Sequence, residues 1–341
     1  MYLIYFMGTG SKLLKINSCG LYCEKGDFYI DPWKSVDKAL ITHGHSDHAR
    51  WGMKSYLTHK CSYDILKLRL GNDINVQTVE YGESIDMNGV KVSFHPAGHI
   101  LGSSQIRMEG LGEVAVVTGD YKIHPDKTCE PFEPLKCNTF LTESTFALPI
   151  YCWQKDEDIF ADINNWWKKN IESGKTGIVY SYALGKAQRI ISGLDPSLGK
   201  IYTHGAVENI NNIYRNHGID LPETINASEL KKGENAEGSI VIAPPSANGT
   251  PWLRKFGNIT DSFASGWMQV RGNRRRRNID KGFVLSDHCD WKGLLKSIEY
   301  TEAENILITH GFSDILAKYL NENGYNASPL ETKFDGESEE D

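Results

Sequence analysis

The 341-residue chain has no CxxC pair, and its seven cysteines (Cys19, Cys23, Cys61, Cys129, Cys137, Cys152 and Cys289) are scattered and odd in number. That pattern excludes a disulfide framework and favours a reducing, cytoplasmic setting. No apolar run approaches the ~20 residues needed to cross a bilayer, so no membrane partner is expected. The opening "MYLIYFM" lacks a basic n-region and a small-residue cleavage site, and reads as a first strand rather than a signal peptide. Positive charge is in deficit. Lys and Arg total 37 against 44 Asp and Glu, a net charge of −7. The whole-protein field therefore repels polyanions, and any nucleic acid must be held by local features. Internal repeats and long low-complexity linkers are also absent.

What is present is a series of short apolar runs, each ending in polar residues. "FYIDPW", "KALITHGH", "VKVSFHPAGH", "EVAVVTGDY" and "TFLTEST" fill the first 145 positions. Each reads as a buried strand with its polar residues on the following loop, where a rigid sheet can brace a site. From about 155 the texture changes to strands alternating with helices, beginning with the amphipathic "DIFADINNWWKKNIESGK". This argues for a separate α/β domain. The strand-end pattern returns in "FVLSDHCDW" and "NILITHGF". One α/β domain, residues 1–150 and 282–330, is expected to close around an insertion at 151–281. Residues 331–341 read as an acidic, disordered tail.

"THGHSDH" puts His43, His45, Asp47 and His48 within six positions. Imidazole with carboxylate suits Zn²⁺ first, with Mn²⁺, Mg²⁺ or Fe as alternatives. His43 and His45 can face one ion, while Asp47 and His48 turn to a second. Two ions need further ligands. His99 and Asp120 occupy equivalent strand ends, and Asp120 can bridge through its two oxygens. His310, in "ILITHG", is a candidate for the second ion. The competing reading is a hydrogen-bonded histidine loop without metal.

In this order, "THGHSDH", "PAGHILGS", "TGDYK" and "ESTFALP" resemble the metallo-β-lactamase fold in its β-CASP nuclease branch. "YALGKAQRII", "SDHCDW" and "ITHG" resemble that branch's inserted domain and returning motifs. "APPSANGTPWLRKFG" and "ASGWMQVRGNRRRR" are similar to the bacterial DNA ligase-associated exonucleases. The resemblance implies an αβ/βα sandwich with a di-metal site at one edge and a β-CASP domain roofing it. It assigns His43, His45 and His99 to one metal, Asp47, His48 and His310 to the other, and Asp120 to both. Asp31 matches the acid that braces the histidine loop. Glu143 and His288 match an acid–histidine pair opposite the metals. Glu143 and His310 look like the RNA-processing members, whereas the full-length resemblance points to DNA. Ala147 stands where relatives usually show Gly.

The implied chemistry is phosphodiester hydrolysis. Two cations about 3.5–4 Å apart activate a water, positioned with Asp47, and clamp phosphate oxygens. His288, oriented by Glu143, is expected to protonate the leaving 3′-oxygen. Local basic features that could hold the strand are Arg271, Arg274, Arg275, Arg276 and Arg277, and Lys186 with Arg189 at a helix start after Gly185. Trp252 and Trp267 are candidates for base stacking or for packing, and Trp166 and Trp167 read as packing residues. The function expected is a 5′-to-3′ DNA exonuclease in repair, linked to a DNA ligase and a helicase. A ribonuclease, a small-molecule ester or thioester hydrolase and a non-catalytic binding protein compete with it. An inserted domain is needless for a small ester, and a degenerate binder would be expected to lose ligands.

Overall fold

The computed structural model describes residues 7–8, 10–231, 234–272 and 279–334. The described chain forms two compact units. One runs to Pro125 and adds Cys129–Tyr151 and the chain from His288 onward. The other comprises Asp126–Thr128 and Cys152–Asp287. No described helix is long and apolar enough to cross a membrane.

The first unit holds two seven-stranded sheets. In one, Met7–Gly8, Lys15–Asn17, Gly20–Cys23 and Phe28–Ile30 pair antiparallel, and Lys38–Leu40, Ser55–His59 and Val76–Val79 continue in parallel. In the other, Ser84–Met87, Val90–Pro96, Ser104–Gly110 and Glu113–Val117 are antiparallel. Thr139–Ser144, Asn305–Gly311 and Ala327–Pro329 follow in parallel. The order of senses is the same in both. A duplication of topology thus exists where the sequence shows no repeat.

The sheets face each other across one core. Leu21, Ile30, Leu40 and Leu57 meet Val92, Phe94, Ile106, Val117, Leu141 and Leu307. The outer face of the first sheet is covered by the helix Tyr63–Leu70, whose Leu66 packs on Ala39, Ile41 and Tyr56. The helices Trp291–Thr301 and Ser313–Glu322 cover the second through Leu294, Ile298, Leu316 and Leu320. Every residue of Thr139–Ser144 is buried, as expected for a strand paired on both edges and covered on both faces.

The second unit is a six-stranded, all-parallel sheet. Its leading helix, Asp156–Glu172, carries three acids in its first turn, which suits the helix dipole, and buries Ile159, Ile163 and Trp167 on one stripe. This unit ends at Asp287 rather than 281. The strand Lys281–Phe283 pairs with Ile259–Ala264 and so stays with its sheet.

Candidate metal centre

The site is assembled at the carboxyl ends of the parallel strands of the first unit. Phe28–Ile30 delivers Asp31 in a left-handed backbone conformation, φ 43°. Asp31 is buried, and it accepts the Thr42 amide at 2.8 Å and the Thr42 hydroxyl at 2.5 Å. It also lies 2.8 Å from Nδ1 of His48. A carboxylate there holds the Nδ1 proton, so that a neutral His48 ring carries its lone pair on Nε2, aimed the other way. That Nε2 is buried and makes no hydrogen bond among the described residues.

Two sets of ligand atoms converge. Nε2 of His43 lies 3.1 Å from Nδ1 of His45, which lies 3.1 Å from Nε2 of His99. Oδ2 of Asp120 stands 3.4 Å from His43 Nε2 and 3.8 Å from His99 Nε2. Oδ1 of the same carboxylate lies 3.1 Å from His310 Nε2 and 3.5 Å from His48 Nε2. Asp47 Oδ2 is 3.4 Å from that same His48 atom. Ligands on a tetrahedral ion with bonds of about 2.0–2.1 Å stand about 3.3 Å apart, so these spacings fit a metal. Three ring nitrogens meeting around one carboxylate oxygen are not satisfied by pairwise hydrogen bonds.

The electrostatics have the same character. Burial pushes the Asp120 carboxyl up, but His48, His288, His310 and His43 outweigh it and hold it well below the usual carboxylate range. Burial opposes charge on His48, yet Asp47 and Asp120 raise its pKa well above normal. His43 is pushed well down, by burial and then by neighbouring His48.

His288 faces Glu143 with Nδ1 2.9 and 2.8 Å from the two carboxylate oxygens. Glu143 also accepts the Tyr121 amide at 2.9 Å and the Thr145 hydroxyl at 2.5 Å. Both residues are buried, and His288, Glu143 and Asp120 offer ligand-type atoms within 4.8 Å of one another.

The structure thus brings together Asp31, His43, His45, Asp47, His48, His99, Asp120, Glu143, His288 and His310. It does not bring Lys186 and Arg189 to solvent; both are buried. Lys186 pairs with Asp287 at 3.2 Å, and Arg189 makes a two-pronged contact with Asp156, 3.1 and 2.6 Å, while donating to the Ser286 carbonyl. The expectation that these two hold phosphate is corrected: carboxylates of the same unit already occupy them. Arg271 is exposed, while Arg274, Arg275, Arg276 and Arg277 lie outside the described residues. Trp267 is buried, and half-buried Trp252 has its ring 5.0 Å from those of His204 and Phe256.

Sequence reasoning missed Thr42, which ties Asp31 to the loop and lies 3.1 Å from His43 Nδ1. It also missed Phe334, assigned to the disordered tail. The Phe334 ring stacks on His48, centroids 4.6 Å and planes 5° apart, and meets His310 and Trp33 edge-on at 6.0 Å. Arg50 secures this segment by donating to the Lys333 carbonyl at 2.8 Å. Thr42 had a signal, standing directly before the motif. Phe334 had none.

No protein-family model matches the chain. It is 26% identical over 312 residues to a probable DNA ligase of Opitutus terrae, covering 91% of this chain and 30% of that protein. It is 26% identical over 182 residues to cleavage and polyadenylation specificity factor 73 of Drosophila melanogaster, covering 51% of this chain and 26% of that one. An RNase J-like protein of Methanocaldococcus jannaschii is 25% identical over 229 residues, 58% of this chain and 54% of that one. These similarities are in keeping with the resemblance to β-CASP metallo-β-lactamase nucleases carried by the sequence motifs. The chain spans between about a quarter and a half of the length of these relatives. A crystal structure of a protein of unknown function from Enterococcus faecalis shares the fold with a TM-score of 0.57 at 14% identity, covering 87% of this chain and 80% of that one.

Proposed function

We propose that this chain is a di-metal phosphodiester hydrolase that trims DNA from a 5′ end during repair, alongside a ligase and a helicase. The carrying observation is the division of Asp120, one oxygen among His43, His45 and His99 and the other between His48 and His310. In this reading the two-sheet unit is a metallo-β-lactamase domain and the all-parallel unit its inserted β-CASP domain. His43, His45, His99 and Asp120 would hold one divalent ion, and Asp47, His48, His310 and Asp120 the other, with zinc best suited to the donors. When bound, the pair would supply an activated water and neutralise phosphate charge.

The chain's own residues do the rest. Glu143 keeps the proton on Nδ1 of His288, so a second proton must sit on Nε2, from which it passes to the leaving 3′-oxygen. The Tyr121 amide and the Thr145 hydroxyl hold Glu143 in place for that task.

DNA is favoured because similarity to the probable DNA ligase covers 91% of this chain yet only 30% of that protein, leaving room there for joining chemistry. A ribonuclease is the second reading, favoured by the names of the other two relatives and by the Glu143 and His310 pattern. Seven free cysteines are in keeping with a reducing compartment. The test incubates end-labelled single-stranded DNA and RNA of one sequence with Mn²⁺, Mg²⁺, Zn²⁺ or excess chelator. A metal-dependent DNA ladder releasing the 5′ label first is expected. An RNA ladder alone moves the conclusion to ribonuclease, and undiminished cleavage in chelator ends the di-metal reading.

A further inference from the structure

The helix Tyr63–Leu70 packs Leu66, with Leu70 beside it, onto Ala49 and Met53, the stretch that follows the histidine motif. Its last turn therefore stands beside the metal loop, and Arg69 donates from Nη1 to the carbonyl of Gly44, between His43 and His45. A guanidinium carries five N–H donors in a rigid fork. Among the described residues this is the single hydrogen bond Arg69 makes, and it forms no ion pair. Its side chain is exposed, as is Ser46 at the crest of the loop, with His45 and Asp47 half-buried on either side.

This is unusual in a chain of net charge −7, where acids outnumber bases. Arg189 shows the ordinary outcome, a guanidinium consumed by carboxylates. Burial lowers the Arg69 pKa, and the carboxylate that acts against this is Asp47, which also faces His48. A ligand role for Asp47 would leave the Arg69 charge less compensated. On the stretch that the helix packs against, Trp51 is 75% exposed, a flat apolar ring three residues beyond His48.

We propose that Arg69, pinned to Gly44 through one prong, binds a backbone phosphate of the nucleic-acid strand beside the scissile one, and that Trp51 stacks the adjoining base. The inference rests on the nuclease reading above. Arginine suits the task because its free N–H groups can take two phosphate oxygens at once. An exposed tryptophan suits unpaired bases, which all present a stackable face.

The test measures binding of a fluorescent single-stranded oligonucleotide with non-cleavable phosphorothioate linkages across a salt series, using the full chain loaded with metal. Arg69→Ala should weaken binding about tenfold or more, and lower the slope of log affinity against log salt by about 0.7, the value of one phosphate contact on a single strand. Arg69→Lys should restore the slope but not the full affinity. Trp51→Ala should weaken binding with the slope unchanged. Bound metal and melting temperature are measured for each variant. Wild-type slope and affinity in Arg69→Ala overturn the phosphate contact. So does an affinity loss that tracks loss of bound metal, because Arg69 would then only brace the loop. Unaltered binding by Trp51→Ala overturns the stacking. A wild-type chain that binds neither DNA nor RNA removes the nuclease reading itself, an outcome distinct from these.

Discussion

A methyl group at Gly119 would lie 2.6 Å from Oγ1 of Thr42. Gly119 immediately precedes Asp120 at a strand end of the second sheet, and Thr42 immediately precedes His43 at a strand end of the first. The two halves of the centre therefore interlock through a space that no side chain can enter. Gly119 also has φ +57°, a conformation unfavourable for other residues.

Gly119→Ala should consequently cost about 2–4 kcal/mol of stability and displace Asp120. The matched control is Gly112→Ala, at φ +70° with nothing within 4 Å, which should cost only about 1–2 kcal/mol. Denaturant midpoints and metal content of the two variants check this. Equal costs would mean the contact with Thr42 is relieved without consequence.

Asp31→Asn should weaken metal retention about 10–100-fold while the fold survives, because the carboxylate fixes the tautomer of His48 from 2.8 Å. Competition against a graded chelator measures the affinity. An unchanged affinity would show that His48 is oriented without Asp31.

His288→Ala and Glu143→Gln should each lower kcat about 10²–10⁴-fold with metal content intact. Single-turnover cleavage, run beside elemental analysis, separates proton transfer from metal loss. Wild-type rates in either variant would remove the proton-donor assignment.

Arg189→Ala should destabilise the chain by about 3–5 kcal/mol, since it strands the buried Asp126 side chain and the half-buried Asp156 without their cation. The salt slope of oligonucleotide binding should stay at the wild-type value. A fall in that slope with stability unchanged would return Arg189 to the phosphate contacts expected from sequence.

Glu208 contributes a pH dependence to the second unit. Burial pushes its carboxyl up, but hydrogen bonds from Thr203, Thr224, Arg215 and Asn211 outweigh this and lower it below its ordinary 4.5. A depressed carboxylate contributes stability that is fully present above the unfolded value and lost as pH falls through the folded one. Between pH 5 and 3 the wild type should therefore lose more stability than Glu208→Gln. Parallel curves from urea melts would refute the assignment.

Where sequence reasoning failed, it failed at pairing. Lys186 and Arg189 stand at a helix start, as phosphate-binding residues do, but Asp287, Asp156 and Asp126 come from distant segments to neutralise them. Phe334 was equally illegible, because a lone aromatic in an acidic tail carries no mark of the imidazole it covers.

The sequence by itself determined which loops carry the clustered histidines and carboxylates. Metal chemistry demands histidine and carboxylate at fixed strand ends, and apolar runs betray those ends through their period and their stop. Only the tertiary structure decided which oxygen of Asp120 serves which histidines, that the two sheets repeat one order of senses, and which charges are spent internally. The reason is physical: residue type and spacing are local properties, whereas electrostatic satisfaction depends on whatever the folded chain brings within a few ångströms.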